Sequence, residues 1–154
     1  MSPTATGQRV VLDTNIVLDL WVFADAAARP LQRAVLARTV QWLATAPMRD
    51  ELQRVMGYAH IVPRLMHYRL NADAVLAAFD SHAQLQPPAP RADVTCKDPD
   101  DQKFIDLAVA HGALLLSKDA LVLALRKRLL ARGADAQRHW TAAAAADAIL
   151  RPAG

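Results

Sequence analysis

Cysteine is almost absent from this 154-residue chain. Cys96 stands alone, which excludes an internal disulfide and a zinc site built on thiolates, and suits a reducing compartment. Glutamate is as scarce, with Glu51 alone against fourteen aspartates, so its longer reach is not part of a general acidic coat. Aromatic residues make up 5% of the chain. Trp21, Trp42 and Trp140 are too scattered to form a stacking platform for bases and read as packing residues. The five histidines (His60, His67, His82, His111 and His139) show no catalytic or metal-ligand spacing. No uninterrupted apolar run exceeds about six residues, against roughly 20 for a membrane span. The opening MSPTATGQR lacks the apolar core of a signal peptide. These absences lead to the expectation of a cytoplasmic protein with no membrane segment.

What is present is ordinary core material: 53% hydrophobic and 21% charged residues, enough for residues 1–154 to form a single domain. The formal charge of +3 and pI near 9.4 tilt towards an acidic partner such as nucleic acid. Arg126, Lys127, Arg128 and Arg132 form a basic stretch suited either to phosphate contact or to a solvated helix face.

Along the chain, Val10, Val11 and Leu12 form a continuous apolar stretch, the pattern of a strand covered on both faces, and Asp13 stands where it ends. Ile16 to Trp21 reads as a helix. Pro30 precedes a periodic segment from Leu31 to Leu43, read as a second helix. Pro47 opens a third, carrying Met48, Leu52, Val55, Met56 and Ala59, and Asn71 caps a fourth through Val75 to Phe79. QLQPPAPRADVTC is a proline-rich loop with room for a short strand near Val94. Asp98 then caps a helix with Pro99 at its first position, running to His111. Gly112 terminates it, and Ala113 to Leu116 follow as a buried strand. A helix from Ala120 to Arg132 ends at Gly133, and Thr141 caps an alanine-rich helix ending near Leu150.

Strands alternating with helices imply an α/β fold: a three-layer α/β/α sandwich with a central parallel sheet. In such sheets ligands bind beyond the carboxyl ends of the strands, where Asp13, Ser117 and Asp119 fall. Helical-wheel geometry selects two more acids. With Met48 at zero, Glu51 lies about 60° away on the border of the core face, whereas Asp50 is almost opposite. Asp101 lies about 60° from Phe104 on the inward side, and Asp106 points away. Asp98 and Asp100 are explained by capping and the helix dipole. Asp101 also faces the core, and an uncompensated carboxylate there is costly, so a positive partner is expected. For Glu51 the plain alternative is surface charge pairing, for instance with Arg54. Four carboxylates converging without histidine or thiol favour Mg²⁺ or Mn²⁺, the chemistry of nucleases and phosphatases.

VVLDTNIVLDL at Val10 to Leu20, DELQRVM at Asp50 to Met56, DPDDQKFIDLAVAHGA at Asp98 to Ala113 and LLLSKD at Leu114 to Asp119 together resemble the PIN-domain family. They resemble in particular its single-domain bacterial toxins of type II toxin-antitoxin modules. The resemblance covers essentially the whole chain. It implies that Asp13 is the first acidic metal ligand, held by hydrogen bonding from Asn15. It further implies that Glu51 and Asp101 are acidic active-site groups and that Asp119 completes the quartet, with Ser117 as a supporting hydroxyl. Where the family's helix usually opens with a serine, this chain has Ala46-Pro47-Met48. Which of Asp98, Asp100 and Asp101 meets metal stays open. The resemblance implies a Mg²⁺- or Mn²⁺-dependent endoribonuclease, homodimeric and restrained by a small antitoxin, with Asp13, Asp101 and Asp119 holding the metal. Two other readings compete: a non-catalytic module binding RNA or protein, and a haloacid-dehalogenase-like phosphatase. The second wants an aspartate where this chain has Asn15.

Overall fold

The computed structural model describes residues 7–142; the alanine-rich helix expected to end near Leu150 lies outside them. Five parallel strands form one sheet in the order β3-β2-β1-β4-β5: β1 (Gln8–Leu12), β2 (Val40–Ala44), β3 (Gln84–Leu85), β4 (Leu114–Leu116) and β5 (Asp135–Gln137). Helices flank it to give the expected three-layer α/β/α arrangement. They are α1 (Thr14–Trp21), α2 (Arg29–Leu36), α3 (Ala46–Met56), α4 (Val62–His67), α5 (Ala72–His82), α6 (Gln102–His111), α7 (Ala120–Leu123) and α8 (Arg126–Leu130).

The order of strands decides where a site can form. From β1 the chain moves outward through β2 to β3, then returns across the sheet to lay β4 and β5 on the other side of β1. β1 and β4 are therefore neighbours at the point where the winding reverses, and a parallel sheet opens a crevice there, beyond its carboxyl ends. The pair is in register from Val10 opposite Leu114 to Leu12 opposite Leu116, and Asp13 N–H continues the ladder to the Leu116 carbonyl at 3.0 Å. Asp13 and Ser117 thus leave the sheet side by side. Val10, Val11, Leu115 and Ala136 are fully buried, as strands covered on both faces must be.

Three expectations are corrected. Leu31 to Leu43 is not one helix: α2 stops at Leu36, and Val40–Ala44 is the strand next to β1. The break carries neither glycine nor proline. Arg38 supplies it by taking a left-handed conformation (φ 58°), while Arg38 and Thr39 N–H groups bond back to the Val35 and Ala34 carbonyls. Val94 is buried but lies outside any strand, and the short edge strand is Gln84–Leu85, at the start of the proline-rich stretch. The helix from Ala120 to Arg132 is two pieces, α7 and α8, broken at Ala124 and Leu125, and the unexpected strand β5 follows Gly133.

The proline-rich stretch is fastened to α6 by two polar side chains. Gln102 accepts from Cys96 N–H (2.7 Å) and donates to the Val94 carbonyl (2.9 Å), and Asp106 accepts from Ala92 N–H (2.9 Å). Asp106 therefore faces away from the crevice because it supports the loop that delivers Asp98. At the far end of α6, Gly112 takes φ 60° in the left-handed region where a side chain would be strained, and turns the chain into β4. The tryptophans pack: Trp42 is 2% exposed and stacks on Trp21 with ring centroids 5.4 Å apart.

Candidate active site

The crevice is supplied by four short-range devices. Asp13 ends β1 and caps α1, accepting the Asn15 backbone N–H at 3.4 Å through Oδ1. Its other oxygen, Oδ2, accepts the Ser117 hydroxyl at 2.8 Å. Ser117 is completely buried at the end of β4 and also accepts Asp119 N–H at 3.0 Å, so one hydroxyl joins the ends of two strands. Asp119 caps α7 by accepting Leu121 N–H at 2.8 Å. Asp98 caps the single 3₁₀ turn Pro99–Asp101 by accepting Asp100 N–H at 3.0 Å, and that turn points Asp101 inward.

Among the described residues one group of acids offers three carboxylate oxygens within 4.8 Å of one another: Asp98, Asp101 and Asp119. Asp13 lies outside this trio yet is close enough for its charge to act on Asp101. Asp100 is exposed and outside it. The asparagine brace differs from expectation in its chemistry. The Asn15 side chain is exposed, and it is the main-chain N–H of this residue that meets Asp13.

Electrostatics separate the acids into two kinds. Asp101 is 9% exposed, and its Oδ2 is buried with no hydrogen-bond partner. Burial first, then the charge of Asp13 and a hydrogen bond shared with Asp119, push its carboxyl up to about 7. Burial also lifts Asp13 above the usual carboxylate range, against the opposing pull of the Ser117 and Asn15 bonds. No lysine, arginine or histidine comes within ion-pair distance of Asp13, Asp98, Asp101 or Asp119 among the described residues. The positive partner expected for Asp101 is thus not a side chain there.

Glu51 is the other kind. It lies on the partly buried side of α3, as the wheel predicts, while Asp50 is exposed. Its Oε2 accepts the Thr14 hydroxyl, and its Oε1 is paired with Lys103 Nζ at 2.6 Å. Lys103 also donates to the Asp100 carbonyl. Surface pairing with Arg54 is replaced by this inward pair. Thr14 and Lys103 are the two contacts that sequence reasoning missed. Their signal was faint: Thr14 adjoins Asp13, and Lys103 is two residues past Asp101.

All-oxygen donors, a buried carboxylate oxygen without a partner and no compensating basic side chain fit a hard divalent cation such as Mg²⁺ or Mn²⁺. Asp98, Asp101 and Asp119 could hold such an ion, and Asp13 lies close enough for its charge to act on Asp101.

Among curated proteins none matches the chain. Among the solved structures that share its fold are two of low sequence identity. One is a chain of VapBC2 from Rickettsia felis bound to a DNA fragment from its promoter, at 14% identity, covering 84% of this chain and 98% of that one with a TM-score of 0.58. The other is a domain of a functionally unknown protein from Methanocaldococcus jannaschii, at 18% identity, covering 88% and 94% with a TM-score of 0.52. The model of the PIN domain family matches residues 9–121, a span that starts in β1, ends in α7 and takes in each of the acids just described. With a parallel sheet that reverses its winding between β1 and β4, and acids gathered beyond those two strands, the chain belongs to the PIN domain family.

Proposed function

We propose that this chain is a metal-dependent endoribonuclease, a single domain over residues 1–154 that hydrolyses RNA phosphodiester bonds as the toxin of a type II toxin-antitoxin pair. The observation that carries this reading is Asp101, a buried carboxyl with an unpartnered oxygen beside three further aspartates and no basic partner. A bound Mg²⁺ or Mn²⁺ ion would polarise the scissile phosphate and lower the pKa of a bound water. The metal is assigned to Asp101 and Asp119 with Asp13 as in the family resemblance, and Asp98 joins them on its distance to the pair.

The protein's own groups do the positioning. Ser117 holds Asp13 by its hydroxyl and Asp119 by accepting its N–H, so the two acids keep one geometry as substrate arrives. Asn15 fixes the second oxygen of Asp13 through the main chain. Glu51, braced by Thr14 and Lys103, stands beside Asp13 and orients the attacking water. The likeness to a VapBC2 chain supports a small antitoxin as partner. We assign the protein to the cytoplasm as a homodimer. No helix among the described residues is long and apolar enough to cross a membrane.

The test is cleavage of RNA by the purified chain with Mn²⁺ or Mg²⁺. Asp13→Asn and Asp101→Asn should each lower the rate by about 10³-fold or more while the circular dichroism spectrum stays that of the parent, and EDTA should stop the reaction. Full activity in both variants, or cleavage indifferent to EDTA, overturns the reading.

A further inference from the structure

Two-metal nucleases clamp the attacking and leaving oxygens with ions about 3.5–4 Å apart, and each ion needs acidic oxygens free to meet it. The carboxylates of this crevice do not all meet that need. Asp98, Asp101 and Asp119 lie together with no basic side chain in ion-pair range among the described residues, and Asp101 Oδ2 has no partner. Glu51 has both oxygens engaged, one by the Thr14 hydroxyl and the other by the Lys103 ammonium at 2.6 Å. Lys103 is itself held in place. Its Nζ also donates to the Asp100 carbonyl, on the turn that carries Asp101, and lies 4.9 Å from the centre of the Phe104 ring. Its side chain is 26% exposed and that of Glu51 is 16% exposed, so the pair is sheltered from the screening that weakens surface ion pairs. A divalent ion that takes Glu51 has to compete with an ammonium held by three contacts: Glu51 itself, the Asp100 carbonyl and the Phe104 ring.

We infer, resting on the metal-dependent reading above, that Lys103 is a built-in cation in the place of a second divalent ion, so that the site takes one ion, held by the aspartates assigned to it above. Lys103 is then a positioning residue. It keeps Glu51 directed and out of the metal's coordination shell, and adds one fixed positive charge beside the acids. The reach of one lysine thereby sets the metal count.

Mn²⁺ binding to the full chain, counted by calorimetry and electron paramagnetic resonance, tests this without reference to cleavage. The parent should bind one ion. Glu51→Gln should leave its affinity within about twofold, whereas Asp101→Asn should weaken it about tenfold or more. Lys103→Met should gain a second ion, lost again in the Glu51→Gln/Lys103→Met double variant, and Lys103→Arg should keep the count at one. Two ions in the parent, a single ion in a folded Lys103→Met, or a Glu51→Gln defect as large as that of Asp101→Asn overturns the inference. If Lys103→Met does not fold, the parent count and the Glu51→Gln affinity decide alone. No ion in the parent, or an unaffected Asp101→Asn, overturns the metal-dependent reading itself, an outcome distinct from two ions.

Discussion

Asp19 and Asp101 are both buried carboxylates near the carboxyl edge of the sheet, and the protein treats them oppositely. Asp19, 5% exposed on α1, has Lys118 Nζ at 2.7 Å. Asp101, 9% exposed at the start of α6, has no basic partner and one orphaned oxygen. The first is a closed account of charge inside the fold. The second leaves negative charge unbalanced where a folded chain alone has no reason to keep it. A buried ion pair and a buried lone acid differ in what they require from outside, and only the lone acid calls for a ligand.

That contrast can be broken from either side. Lys118→Met removes the partner of Asp19 and leaves its carboxylate buried alone. It should lower the unfolding free energy by about 2–4 kcal/mol in urea denaturation. A loss below the error of the measurement would show that Asp19 needs no pairing.

Asp101→Asn should act in the other direction. In chelator-treated protein at pH 8 it removes an uncompensated charge, so the unfolding free energy should rise by about 1–3 kcal/mol even as metal binding is lost. The pH dependence carries the same sign. The folded carboxyl titrates at about 7 against an ordinary 3.8, so between those values the folded form holds a proton that the unfolded chain has released. Stability of the metal-free protein should therefore be greatest below pH 4, fall as pH rises towards 7, and level off above it as far as this group is concerned. Urea midpoints across that range should show a shallower slope in Asp101→Asn than in the parent; equal slopes would assign the dependence to other groups.

Ser117→Ala should cost about 1.5–3 kcal/mol, because the hydroxyl is fully buried and its acceptor is charged. Chemical denaturation with and without Mg²⁺ would separate that cost from the added loss of metal affinity. The smallest effect belongs to the basic face. Arg132 pairs with Asp93 and Arg126 with Asp135, all at least partly exposed, so Arg132→Ala should change stability by less than about 0.5 kcal/mol. A larger loss would give this face a structural role equal to that of the sheet edge.

Legibility followed the kind of interaction. β1, α6 and β4 were readable because local rules act within a few residues: a buried apolar run, an Asp-Pro start, a left-handed glycine stop. β2 escaped because no glycine or proline marks the break at Arg38, although Val40 falls about 180° from Leu31 at 100° per residue and Trp42 alone returns to the face of α2. β3 and β5 escaped because they are short edge strands with one neighbour each, and what makes them strands is the ladder offered by β2 and β4. Glu51 and Asp101 were separable from Asp50 and Asp106 by the wheel alone, since the 3.6-residue period fixes which side of a helix meets the core.

The sequence by itself determined that Asp13 and Asp119 follow buried strands and that Glu51 and Asp101 face inward, because strand ends and helix faces follow from local periodicity. Tertiary structure alone decided the partnerships. Asp98 joins Asp101 and Asp119, Asn15 acts through its main chain, and Lys103 goes to Glu51 and leaves Asp101 bare. Those choices depend on distances of a few ångströms between residues far apart in the chain, and a long side chain such as lysine can satisfy any of several acids until packing leaves it one.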